Sequence, residues 1–179
     1  MKIVGIDPGM TGALAVLDGG EVVAVEDLPV VHVRNTAGKL RGEYIQYKLV
    51  EYLERWRGHV FLEKQQAFPG TGARCPVCKQ ARGQGVVSTG TTMEGFGMLK
   101  GMLAALRIPY ELVPSVTWKR AMLEGLGRDK SHSLSKARAL FPTVDLGRRK
   151  DAGRAESLLI AEYGRRMLNG GLTKAAAQV

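Results

Sequence analysis

The pentapeptide Gly5-Ile6-Asp7-Pro8-Gly9 constrains this chain more than any other stretch. The apolar run from Lys2 to Ile6 carries the backbone into a core, then puts a carboxylate where another apolar residue would be expected. Pro8 and Gly9 stop the strand directly afterwards, because proline lacks a ladder N–H and glycine favours turns. Asp7 is therefore held at the rim of a sheet by a rigid element, where a metal ion or a phosphate can reach it. The simpler alternative is an aspartate that bonds its own turn.

The neighbouring elements extend this sheet. Ala13 to Leu17 reads as a second strand, Asp18-Gly19-Gly20 as a tight turn and Glu21 to Val25 as a third strand, giving an antiparallel meander. Leu28 to Leu40, with Pro29, Asn35 and Gly38, reads as a connection. Tyr44, Tyr47, Leu49, Val50, Leu53 and Trp56 then space as one helix face, closed by Gly58. His59 to Leu62 is a short apolar run ending in Glu63, which repeats the pattern of Asp7. If this fourth strand lies parallel to the first, the crossover helix puts both strand ends on one edge of the sheet. Asp7 and Glu63 would then be neighbours, and two close carboxylates repel unless a cation sits between them.

Residues 64–90 show no clear periodicity, contain Pro69, Gly70, Gly72, Pro76, Gly83 and Gly85, and exceed the usual ~12–15-residue ceiling for a structureless connection. This flap is basic, through Lys64, Arg74, Lys79 and Arg82, and carries one aromatic, Phe68, suited to stacking on or wedging between bases or to packing under its own loop. Cys75-Pro76-Val77-Cys78 lies within it and supplies half of a four-cysteine zinc site. Zinc completed by a second copy or a histidine, a redox role, and incidental thiols or a local disulfide are the alternatives, the last pair being the simplest. A glycine-bearing helix, Thr91 to Leu106, follows; Gly95, Gly97 and Gly101 each cost about 1 kcal/mol relative to Ala, so close approach of the sheet or of a partner subunit is expected there. Tyr110 to Val113 is the fifth strand, and Trp118-Lys119-Arg120 belongs to a short helix after Pro114.

The 179 residues suffice for one domain over 1–168, with a flexible tail at 169–179. No apolar run reaches the ~18 residues of a membrane span, and the absence of a signal-peptide layout makes a cytoplasmic setting the expectation. Charge is unevenly placed. Residues 1–63 hold 7 Lys/Arg against 9 Asp/Glu, whereas residues 64–179 hold 19 against 8. A basic second half beside strand-end carboxylates suits a polyanion approaching acids that hold cations.

Asp151 and Glu156 supply two further acids near the start of the last helix, about Asp151 to Leu168, directly after the basic cluster Arg148-Arg149-Lys150 and flanking Arg154. Hard cations such as magnesium take oxygen ligands from a few carboxylates and leave room for water and phosphate. Two such ions can activate a water and stabilise the departing oxygen of a phosphodiester. Convergence of Asp7, Glu63, Asp151 and Glu156 would build that site, with surrounding Lys and Arg on the substrate backbone.

These stretches, with Lys150-Asp151-Ala152-Gly153-Arg154-Ala155-Glu156-Ser157-Leu158-Leu159 as the last acidic motif, resemble RuvC-type Holliday-junction resolvases, the crossover junction endodeoxyribonucleases of bacteria and phages. Gly83-Gln84-Gly85, Phe96-Gly97, Gly101 to Leu106, Ile108-Pro109-Tyr110 and Trp118-Lys119 fit the same pattern, in order, from Ile3 to about Arg166. The resemblance implies an α/β, ribonuclease H-like fold with a central mixed five-stranded sheet flanked by helices. It also implies a homodimer that uses magnesium or manganese, in a two-metal site, to cut a four-way DNA junction by paired hydrolysis. Asp7, Glu63, Asp151 and Glu156 would be the metal-binding and catalytic residues. Lys64, Phe68, Arg74, Lys79, Arg82, Lys119, Arg148, Arg149, Lys150 and Arg154 are the DNA-binding candidates. The family's usual third acidic or histidine position, three residues before the last carboxylate, is Gly153 here. Asp151 must therefore sit at or just before the helix start to reach the metals. The Cys75/Cys78 segment looks like an insertion without a family counterpart.

Two other functions share parts of this pattern. A related ribonuclease H-like nuclease would act on other branched DNA or on RNA–DNA hybrids. Asp7-x-Gly9-x-Thr11 also resembles the first phosphate loop of the sugar-kinase and actin superfamily, which would make the chain a single-domain phosphotransferase. A junction binder without catalysis would tolerate loss of any one carboxylate.

Overall fold

In the computed structural model, residues 1–34, 36, 38, 40–67, 86–125, 130–148 and 150–170 are described. Strands β1 (Lys2–Ile6), β2 (Ala13–Asp18) and β3 (Glu21–Asp27) form the expected antiparallel meander. Helix α1 (Gln46–Arg55) crosses over to β6 (His59–Lys64), which lies parallel to β1, and α2 (Val86–Ala105) leads to β7 (Tyr110–Pro114), parallel to β6. The sheet order is β3-β2-β1-β6-β7, so it is mixed and five-stranded. Helices α3 (Ser115–Met122), α4 (Lys130–Leu140) and α5 (Ala152–Leu168) complete the chain. None of the described helices is long and apolar enough to cross a membrane.

Two differences from the sequence reading bear on the site. The stretch from Leu28, expected as a connection, forms a separate antiparallel hairpin of β4 (Val30–Arg34) and β5 (Leu40–Tyr44). Tyr44 consequently ends a strand and does not open the helix face. The long connection is also shorter than 64–90, since α2 is already helical at Val86. Phe68, Arg74, Cys75, Cys78, Lys79 and Arg82 lie outside the described residues, as do Arg149 and the tail from 171.

Side-chain alternation along each strand divides the interior into two cores. Ile3, Ala15, Leu17, Phe61 and Val113 face Trp118, Met122, Leu158 and Leu159 on one side of the sheet. Val4, Ile6, Leu14, Val60 and Leu62 face Leu49, Leu53, Phe96, Leu99 and Leu103 on the other. Asp7 and Glu63 share the parity of Ile3 and Phe61, so both project toward the α5 side.

Helix α5 comes unusually close to β1 because glycines remove the obstacle. A Cβ on Gly5 would lie 2.2 Å from the Ser157 carbonyl oxygen, and one on Gly153 would lie 2.2 Å from that of Thr11. Such contacts are shorter than any real Cβ makes, so both positions require glycine. The first turns of α5 are thereby pressed against the β1 end and the loop that follows it.

Candidate metal centre

The register of β1 and β6 pairs Ile6 with Leu62, which sets Glu63 beside Asp7 at the C-terminal edge of two parallel strands. Asp7 is partly buried and locked locally, its Oδ1 accepting from the Gly9 amide at 3.2 Å while its own amide donates to Ala13. Glu63 and Glu156 are buried. The second turn of α5 carries Glu156 to the same edge, and one carboxylate oxygen each from Asp7, Glu63 and Glu156 lie within 4.8 Å of one another.

Three carboxylates that close cannot all be ionised without compensation. Burial, and then the charges of Asp7 and Glu156, push the Glu63 pKa up to about 8. Two groups oppose that rise. Lys119, from α3, sets its ammonium 2.8 Å from Glu156 Oε1 in largely buried surroundings. Trp118 also favours the ionised form of Glu63, although its buried indole nitrogen has no hydrogen-bond partner of normal geometry. From α4, the fully buried Ser133 hydroxyl donates to Glu156 Oε1 at 3.3 Å. One lysine against three acids leaves excess negative charge, and an all-oxygen donor set without His or Cys matches a hard divalent cation such as magnesium or manganese.

Asp151 stands apart from this cluster. Its fully buried carboxylate accepts from the Arg148 amide and from Arg148 Nε, both at 2.7 Å, with Arg154 Nε at 3.8 Å. It is the residue immediately before α5, as a metal ligand there would need to be, but it is spent on fixing the 148–151 turn. Of the four acids expected to converge, Asp7, Glu63 and Glu156 lie together, whereas Asp151 pairs with an arginine three residues earlier.

The basic candidates are also placed. Lys64 is exposed at the end of β6. Lys119 belongs to the acidic centre itself through Glu156. Arg148, Lys150 and Arg154 converge on a single carboxylate, Asp27 at the end of β3. Sequence reasoning missed Ser133, Asp27 and Tyr44. Tyr44, whose hydroxyl donates to the Pro8 carbonyl, buttresses the turn behind Asp7; burial and the Asp7 charge raise its pKa. No local pattern marks any of the three, because each acts on a residue far away in sequence.

No protein-family model matches the chain, and no curated protein matches it in sequence. Solved structures do. T. thermophilus RuvC in complex with a Holliday junction substrate aligns over 96% of this chain and 96% of that one, at 17% identity and a TM-score of 0.59. The chain shares the RuvC fold. A second Thermus thermophilus RuvC structure aligns over 96% and 97%, at 19% identity and a TM-score of 0.53. RuvC-like architecture therefore accounts for nearly the whole length, and the ribonuclease H-like sheet expected from sequence is present.

The raised Glu63 pKa has a signed consequence for stability. Between the unfolded value of 4.5 and about 8, the native protein holds a proton that the unfolded chain has released. Metal-free protein should therefore lose stability as pH rises through that window. Thermal melts in chelator should show Tm falling from pH ~5 to ~8, and Glu63→Gln should flatten that fall. An identical pH dependence in the two proteins would refute the shift.

Proposed function

We propose that this chain is a structure-selective endonuclease that resolves four-way DNA junctions by metal-dependent phosphodiester hydrolysis. The observation that carries the reading is the convergence of Asp7, Glu63 and Glu156 at one edge of a sheet with the RuvC fold. These three residues would hold magnesium or manganese, as two ions sharing the carboxylates. When bound, such ions supply Lewis acidity and a water of lowered pKa for attack on phosphorus.

The chain's own residues do the rest. Gly5 and Gly153 hold α5 close enough for Glu156 to meet the strand-end acids. Ser133 orients Glu156, and Lys119 offsets part of the repulsion among the acids. Lys119, 2.8 Å from Glu156, would be placed to meet a substrate phosphate brought to the same centre. Lys64 and the basic residues of the flap, Arg74, Lys79 and Arg82, would follow the DNA backbone, with Phe68 stacking on bases. Zinc at Cys75/Cys78 is not needed for any of this. A cytoplasmic setting, where recombining DNA is found, belongs to the same proposal.

The phosphotransferase reading is weaker on a specific ground. In the Asp7 to Gly12 loop, the Gly9 amide already serves Asp7 and the Gly12 amide serves the Gly9 carbonyl. Both are therefore unavailable as phosphate donors of the kind a nucleotide loop presents.

Paired cuts call for two centres facing one junction, which a two-fold dimer provides. Helix α2 supports this arrangement. Phe96, Leu99 and Leu103 point into the core, whereas Gly97 and Gly101 are exposed, and a Cβ on either would meet nothing within 4 Å. Gly95 is different, since the Tyr44 ring would lie 2.6 Å from its Cβ. The outward glycines are thus unexplained by the fold itself and suit close packing of a second α2.

Two measurements check these proposals. With magnesium, wild-type protein should cut a synthetic four-way junction in preference to linear duplex. Asp7→Asn should bind the junction but cut at least about a hundredfold more slowly, as expected when a transition-state-stabilising group is lost. Undiminished cutting by that variant would defeat the assignment. Separately, Gly97→Leu/Gly101→Leu should sediment as a monomer with an unchanged or higher Tm, because leucine favours helix; a persistent dimer would remove α2 from the interface.

A further inference from the structure

Outside the metal centre, the densest charge cluster is built around Asp27. Its Oδ1 accepts from Arg148 at 2.9 Å and from Arg154 Nε at 2.6 Å, and its Oδ2 accepts from Arg148 at 3.0 Å and lies 3.2 Å from Lys150 Nζ. Burial alone would raise the Asp27 pKa, but the hydrogen bonds from Arg148, Arg154 and Lys150 hold it well below the carboxylate range. Three cations answer one carboxylate here. The other acid in the network, Asp151, is fully buried and shares the same Arg148. A planar fork around paired oxygens, with an ammonium alongside, is also how arginine and lysine grip a phosphate.

Placement favours that use. Asp27 pairs with Ala13, and the Leu28 amide donates to the Gly12 carbonyl, so the cluster sits beside the loop that follows Asp7. Arg154 precedes Glu156 by two residues on α5. A cleft of about 210 Å³, lined by Met10, Thr11, Asp27, His32 and Lys150 among others, opens there. The two acids also differ in kind. Asp151 is inaccessible and anchors the turn, whereas Asp27 is 37% exposed, with Lys150 63% exposed at the rim. Asp27 is reachable from solvent, so an arriving phosphate oxygen can compete with its carboxylate for the same donors.

We propose that Arg148, Lys150 and Arg154 form a seat for a backbone phosphate of the DNA substrate, and that the Asp27 carboxylate fills this seat in the free protein. This inference rests on the resolvase reading and adds a competitor to it. Each substrate phosphate that takes the seat must first displace Asp27. A plain duplex, which touches less of the protein, gains less from doing so than a junction spread over the whole face. Asp27 thereby suppresses non-specific binding by occupying a phosphate's place.

The test is DNA binding without divalent ions, by fluorescence anisotropy, on a labelled four-way junction and a duplex of equal length across about 50–300 mM salt. Asp27→Asn removes the competing carboxylate while Arg148 stays paired with Asp151, so the slope of log affinity against log salt should steepen by about one, and by more than in the control below. The duplex should gain at least about tenfold in affinity at the low-salt end, and more than the junction gains. Asp145→Asn, at an exposed acid on the stretch leading to Arg148 whose carboxylate accepts from the Gly147 amide, is the control for adding one unit of charge. If Asp27→Asn matches Asp145→Asn while wild-type binding is normal, the inference fails alone. Wild-type protein that binds neither DNA overturns the resolvase reading and this inference together. Should Asp27→Asn not fold, Lys150→Gln decides: a slope shallower by about one supports the seat, and an unchanged slope overturns it.

Discussion

Mutual repulsion among Asp7, Glu63 and Glu156 is the constraint on which the rest of the structure turns. Folding brings one oxygen from each of three acids within 4.8 Å, with Glu63 and Glu156 buried and Asp7 partly so, a cost that apolar packing around them must carry. The fold accepts this because each acid sits on an element that cannot move away. Asp7 and Glu63 end adjacent parallel strands, and Glu156 rides a helix pressed onto β1 through Gly5 and Gly153. Lys119 and Ser133 temper the repulsion without removing it. Residual negative charge in a rigid cradle of oxygen ligands is what suits the site to divalent cations.

The same rigidity separates two populations of charge. The acidic centre sits at the ends of β1 and β6 and the Asp27 cluster at the end of β3, and α5 contributes Glu156 to one and Arg154 to the other. Arg148 bridges Asp27 to the buried Asp151 and so ties the start of α5 to the end of β3. That tie orients the helix carrying Glu156 without adding charge to the metal centre. Basic residues near the acidic centre are thus not a uniform coat: Lys119 faces inward, Arg148 and Arg154 are shared with carboxylates, and Lys64 remains exposed.

How much of this was legible in the sequence depends on the range of the interaction. Asp7 and Glu63 could be read because an apolar run that ends in a carboxylate is a local pattern, and the parallel crossover followed from strand and helix order. Glu156 came from motif likeness, and its burial against β1 needed the glycines on both partners. The β4–β5 hairpin was hidden because Pro29, Asn35 and Gly38 read as loop while His32 and Arg34 blurred the alternation. Asp151 was expected among the ligands because its sequence position permits that role, and its pairing with Arg148 could not be read from spacing alone. Asp27 lies more than a hundred residues from the cations it gathers, so no spacing rule could have found it.

Calorimetric titration with manganese tests the central claim most directly, since it reads the acidic centre without requiring a substrate. Wild-type protein and Asp151→Asn should bind the ion alike, whereas Glu156→Gln should lose most of the affinity. Equal losses in Asp151→Asn and Glu156→Gln, or no binding by wild-type protein, would contradict a centre built from Asp7, Glu63 and Glu156.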